Sequence, residues 1–156
     1  MKKWLALIGV ILIIALDQLS KYYALEILPG RHAIHIFPGL NFYITYNHGV
    51  AFSLFYNLGL NTPWILIAFT SVLSLILLTL MVKTQLNEIQ KLTALTLMLG
   101  GALSNLFDRV YYGAVIDFID VYVGYHHWPV FNLADCSICV GAFLLLLIKE
   151  PQKSNS

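Results

Sequence analysis

Apolar residues dominate four stretches of the chain, from Trp4 to Tyr22, Thr62 to Val82, Leu92 to Phe107 and Val130 to Ile148. A helix rises 1.5 Å per residue, so about 20 residues cross a hydrocarbon layer. The pattern therefore predicts spans over residues 4–22, 62–82, 92–107 and 130–148. Thr62-Pro63 reads as a cap followed by a first-turn proline. Gly100, Gly101, Ala102 and Ser104 would weaken the third helix in water. In lipid they let a neighbouring helix come close, and Gly141 and Ala142 supply a matching surface.

The segments between the spans are unequal. An outer loop over 23–61 carries a strand candidate at Phe42–Tyr46, rich in β-formers and bounded by turn residues, and a second at Ala33–Phe37. A loop of that length with its own secondary structure usually has a task. The outer segment over 108–129 holds the extended run Val115–Ile119 and the aromatics Tyr122, Tyr125 and Trp128, which suit a headgroup belt. Lys83 to Lys91 is a short polar connector, and 150–156 reads as a disordered tail. The expected fold class is an all-α polytopic membrane protein: four transmembrane helices with a small extracytoplasmic β-containing subdomain, forming one domain over 1–156.

Composition agrees. Of 156 residues, 59% are hydrophobic and 11% charged, against roughly 25% charged in soluble proteins. Lipid is the solvent that suits such a chain. The net charge of +1 gives no reason to expect nucleic acid. Lys2 and Lys3 before an apolar run resemble a signal peptide, but the run is too long and continues into Asp17-Gln18-Leu19-Ser20-Lys21 instead of a small-residue cleavage site. It reads as a retained helix. With the N-terminus cytoplasmic, Lys2, Lys3, Lys83, Lys91, Lys149 and Lys153 fall inside, and Lys21, Arg31 and Arg109 outside. That bias places both termini in the cytoplasm.

The acidic residues then gather at one depth. Asp17 and Asp108 lie near the outer ends of the first and third spans, Asp135 about 8 Å into the fourth, and Asp117 in the segment between. Asn47, Asn105, Arg109 and Asn132 share that level. A carboxylate in the apolar layer costs about 2.5 kcal/mol or more, so such groups face a bundle interior or a wet cavity. Asp17 and Lys21, four residues apart, also make sense as a structural pair. Two neighbouring carboxylates share a proton and supply both an acid and a base. Asp117 and Asp135 are the favoured pair, with Asp108 and Asp120 as alternatives that spacing alone does not exclude.

Other chemistries fit less well. Cys136-Ser137-Ile138-Cys139 has a CxxC spacing near His126 and His127, yet thiols on one apolar helix more often pack as small hydrophobes, and a metal needs three or four convergent ligands. No metal or cofactor is expected. Ser53, Ser104 and Ser137 lack a convincing base at their depth. Rival classes are a small polytopic scaffold or assembly factor, whose acids would form structural pairs, and a proton-linked carrier.

Five segments resemble the bacterial lipoprotein signal peptidases, the signal peptidase II family. They are Asp17-Gln18-Leu19-Ser20-Lys21, Asn47-His48-Gly49-Val50-Ala51-Phe52-Ser53, Gly101 to Arg109, Val115-Ile116-Asp117-Phe118 and Phe131-Asn132-Leu133-Ala134-Asp135. The resemblance covers nearly the whole chain; Ser20 stands where threonine is common and Cys136 where serine is. It implies an aspartyl endopeptidase of the bacterial inner membrane that cuts diacylglyceryl-modified prolipoproteins N-terminal to the lipidated cysteine. It implies Asp117 and Asp135 as catalytic, with Asp17, Asn47, Asn105, Asp108, Arg109 and Asn132 shaping or supporting the site; on their spacing alone, Asp17 and Lys21 read as structural polar residues. Membrane lipids and a globomycin-type inhibitor are the other implied partners; no oligomer is required. Tyr46, Phe52 and Trp128 are candidates for an apolar lid.

Overall fold

The structure, a computed structural model, describes residues 3–28, 32–49 and 62–148. The tail expected over 150–156 and the lid candidate Phe52 lie outside the described residues, as do the side chains of Thr62 and Pro63.

Helix α1 spans Lys3–Ile27, α2 Thr62–Lys83, α3 Ile89–Tyr112 and α4 Leu133–Leu147. Strands β1 (Ile34–Phe37), β2 (Leu40–Asn47), β3 (Val115–Val123) and β4 (His126–His127) form an antiparallel sheet in the order β1-β2-β3-β4. The helices do not copy the apolar runs. No Gly or Pro interrupts α1 after Gly9, so it continues five residues past Tyr22. Its last turns rest on the sheet: Ala24 and Leu28 pack with Phe118, beside Phe42 and Ile44. Helix α3 continues past Phe107 until Gly113, whose left-handed φ of 72° and N–H donated to the Arg109 carbonyl end it.

Helix α4 starts later than the apolar run from Val130. Asn132 is its N-cap: the Asn132 side chain accepts from the Asp135 N–H at 2.9 Å, and Asp135 Oδ2 accepts from the Asn132 N–H at 3.2 Å. Asp135 therefore sits in the first turn, not about 8 Å within a span, and Asn132 stands at the helix's edge.

Helix α3 is the centre of the bundle, packed against α1, α2 and α4. The small residues make this possible. A Cβ on Gly101 would collide with the Ala134 carbonyl and come within 2.8 Å of Ile138; one on Gly141 would lie 2.7 Å from the Ala94 carbonyl oxygen. A core of Ala6, Val10, Leu77, Met81, Leu92, Leu95, Leu99 and Ala102 fills the half of the bundle away from the sheet. There Lys3 Nζ donates to the Val82 carbonyl, tying the start of α1 to the end of α2.

The outer surface is inverted relative to a soluble protein. Ile11, Leu16, Phe69, Leu75, Phe143 and Leu146 all point outward, the last 83% exposed. Buried positions include Asp17, Lys21, Asp108, Asp117 and Asp120. Hydrocarbon explains both facts at once.

Candidate active site

Helix α1 presents Asp17, Gln18 and Lys21 to α3, where each finds a partner. Lys21 Nζ donates to Asp17 Oδ2 at 2.6 Å, Asp108 Oδ2 at 2.7 Å and Asn105 Oδ1 at 3.2 Å, which uses all three of its protons. Asp17 Oδ2 also accepts from Ser104 Oγ at 2.7 Å, and its Oδ1 accepts from the Ala134 N–H at 2.8 Å. Asp108 takes Gln18 Nε2 on Oδ1 at 2.7 Å and the Ile116 N–H on Oδ2 at 3.2 Å. Removing an ion from water costs several kcal/mol even after relaxation, and geometry with further hydrogen bonds must offset it. Here the bonds are present. The cluster joins α1, α3, β3 and α4 at one level.

Asn105 links that cluster to a second one. Its Oδ1 accepts from Lys21 and from Asn132 Nδ2 at 3.2 Å, so its Nδ2 is turned toward Asp135 Oδ1, at 2.8 Å. Asn132 Nδ2 reaches Asp117 Oδ1 at 2.7 Å, and Asn47 Nδ2 reaches Asp117 Oδ2 at 3.0 Å. Asp117 and Asp135 thus come from different elements and share one neighbour, Asn132.

Their environments set the chemistry. Asp117 is 1% exposed, and its carboxyl is pushed up to about 6, first by burial and then by the negative charge of Asp135. The amides of Asn47 and Asn132 and the Lys21 charge oppose the shift without cancelling it. A carboxyl near neutrality beside a second carboxyl can hold one proton between the two. That pair can act as acid and base on a polarised bond.

The structure thus brings together Asp17, Lys21, Asn47, Asn105, Asp108, Asp117, Asn132 and Asp135. Arg109 lies at the same level: its Nη1 donates to the Asn105 carbonyl at 3.2 Å, and its Nε is a buried donor without a partner among the described residues. The alternative acids stand apart. Both oxygens of Asp108 are taken by α1 and the Ile116 backbone. Asp120 is bonded to Asn41 and His127. Tyr46 and Trp128 are 51% and 69% exposed. Cys136 and Cys139 are free thiols, and no three His, Cys, Asp or Glu side chains converge as a metal site among the described residues.

Two participants are not among the polar residues assigned to the site from sequence: Gln18, and Ser104, which reads there as a small packing residue. Gln18 and Ser104 bond the buried acids, and the signal was available: both stand on helix faces that already bear Lys21, Asn105 and Asp108. Asn41 and His127 left no comparable trace, since only strand pairing brings them to Asp120.

A family model described as signal peptidase (SPase) II matches residues 9–149. A lipoprotein signal peptidase of Coxiella burnetii is 43% identical over 149 residues, covering 94% of this chain and 90% of the relative. One from Escherichia fergusonii is 41% identical over 145 residues, with 93% and 87% covered. A solved bacterial membrane enzyme, determined by the in meso method at 1.9 Å resolution, superposes with a TM-score of 0.80 at 27% identity, covering 94% of each chain. A second, at 2.3 Å, gives 0.77 at 24% identity, with 95% and 94% covered, and shares the fold.

Proposed function

The chain belongs to the signal peptidase II family, and from that premise we propose that Asp117 and Asp135 are its catalytic pair. The protein is an aspartic signal peptidase of the bacterial inner membrane, multi-pass, that removes signal peptides from prolipoproteins. The observation that carries the assignment is Asn132, which donates to Asp117 and caps the helix turn bearing Asp135.

A water held between the two carboxyls loses a proton to the ionised one as it attacks the scissile carbonyl. The protonated one hydrogen-bonds the carbonyl oxygen. Collapse of the tetrahedral intermediate breaks the C–N bond, and the pair returns a proton to the departing amine of the lipid-modified cysteine. Acid and base roles belong to the pair as a unit. Asn47 and Asn105 each hold one oxygen of the pair, Asp117 Oδ2 and Asp135 Oδ1. Arg109 is assigned to orient the substrate backbone from beside Asn105, whose carbonyl its Nη1 bonds, and Asp108, Asp17 and Lys21 fix the helices beneath. A globomycin-type cyclic peptide is expected to compete for the same cleft.

The active level faces the outside of the cell, with both termini cytoplasmic. Lys3, Lys83 and Lys91 cluster at the end of the bundle opposite the sheet, as the positive-inside bias requires. Two of the three outer cations, Lys21 and Arg109, are occupied within the site.

The test uses purified protein with diacylglyceryl-modified and unmodified precursors. Cleavage of the modified one alone, lost in both Asp117→Asn and Asp135→Asn while each still inserts, is the expected result. Near-normal turnover by either variant removes that residue from the pair.

A further inference from the structure

One buried carboxylate has no part in that chemistry. Asp120 stands three residues after Asp117 in β3, so strand alternation sends it from the opposite face. Asn41 Nδ2 donates to its Oδ2 at 2.9 Å, and His127 Nδ1 lies 2.7 Å from its Oδ1. The row extends across the sheet, for His35 Nδ1 lies 3.1 Å from Asn41 Oδ1. Each of the four strands contributes one polar side chain. The His127 ring stacks on Tyr122 with centroids 5.0 Å apart, and the Tyr122 hydroxyl is 3.4 Å from His35 Nδ1. His127 is 51% exposed, its partner Asp120 2%. Among the described residues, the ionisable groups facing His127 are thus Asp120 and Tyr122 of β3. Tyr43 of β2 and His35 of β1 stand behind them, and His126 adjoins it in β4.

The row closes over the arm that joins the two active-site carboxyls. After Asp117 the chain turns at Gly124, returns through β4, pairs Phe131 with Ile119, and enters Asn132 and Asp135. Strand β4 pairs only Tyr122 with His127 and Val123 with His126, a short ladder that the Trp128 N–H extends by one bond to the Val121 carbonyl at 2.8 Å, before Phe131 bonds Ile119. A bond from a charged imidazole to a carboxylate is roughly twice as strong as a neutral one. Histidines change charge between about pH 5 and 8.

We propose that Asp120 and His127 are positioning residues for the peptidase reaction, a clasp that fixes the arm between Asp117 and Asp135 and tightens when His127 is protonated. The inference rests on the assignment of that catalytic pair. Neither residue touches substrate; both act through the register of β3 against the start of α4.

The test compares kcat of the wild type and His127→Asn on a lipidated precursor between about pH 5 and 8, in one lipid. The asparagine amide keeps a donor near the Nδ1 position but does not titrate. In His127→Asn the clasp has no titrating member, so the variant's own pH profile reports the catalytic pair and only the wild type's departure from it reports the clasp. The ratio of wild type to variant is expected to be roughly tenfold at the acid end and to fall several-fold along a single ionisation as pH rises, with KM nearly equal. A ratio constant with pH, or equal kcat throughout, overturns the clasp. Thermal unfolding at each pH shows whether the variant is folded. If it is not, Asp120→Asn replaces it: the same falling ratio supports the clasp, and a flat one overturns it. Near-normal turnover by Asp117→Asn or Asp135→Asn in the same assay counts against the catalytic pair itself, and is read apart from the ratio that tests the clasp.

Discussion

Asp117 and Asp120 share a strand and a chemistry, yet their surroundings give them different work. Asp117 is held by two amides beside another acid, and its carboxyl lies at about 6 against an ordinary 3.8. Because the folded value is the higher one, the charged form is disfavoured in the fold. The cost is in force above about pH 6, is relieved as pH falls from there, and is gone below the unfolded value. Asp117→Asn is therefore expected to be inactive and more stable near neutral pH, by about 1–2 kcal/mol once a lost amide bond is discounted. Thermal unfolding in detergent should show that gain near pH 7.5 and little of it near pH 5. Lys21 is the converse case. Its replacement by methionine strands Asp17 and Asp108 without their cation, which costs about 3–5 kcal/mol. Lys21→Met is expected to lower the unfolding temperature and the membrane yield together. Activity lost at full stability would instead place Lys21 among the groups that act on substrate.

At the scale of elements, the small residues of α3 and α4 decide how near the two helices come. Gly101 faces the Ala134 carbonyl directly, so even one methyl separates the helix bearing Asn105 from the turn bearing Asp135. Gly101→Val is expected to stretch the Asn105–Asp135 bond and reduce kcat by at least tenfold; unchanged turnover would show that the helices adjust freely. The apolar runs and the Gly and Ala pattern made these helices readable from sequence, because lipid-facing and close-packed positions leave compositional marks. Their ends were less readable. The start of α4 depends on a reciprocal bond between Asn132 and Asp135, and the far end of α1 on a sheet it cannot announce. The β-formers of Phe42–Tyr46 marked β2, whereas Asp120 to Val123 extended β3 beyond its expected stretch by pairing with β2 and β4.

Across the whole molecule, the acids were legible as a set because membrane helices have little structural reason to carry them. Their grouping at one level followed from counting residues along each span. Which acid meets which did not follow, since Asp108 and Asp120 sit at similar positions and differ only in their partners. Those partners come from α1, β2 and β4, remote in sequence, and no local periodicity encodes them.

The brevity of α4 has a consequence for the bilayer around it. From Leu133 to Leu147 it has 15 residues, which is about 22 Å of helix beside a hydrocarbon core of about 30 Å. Lipid next to it must dimple to keep the Asn132–Asp135 turn wet. Turnover in vesicles should accordingly rise as acyl chains are shortened toward that length and decline in thicker membranes. Activity indifferent to chain length would mean that neighbouring helices absorb the mismatch. A local depression of this kind also lowers the water surface toward the first turn of α4, where Asp135 stands.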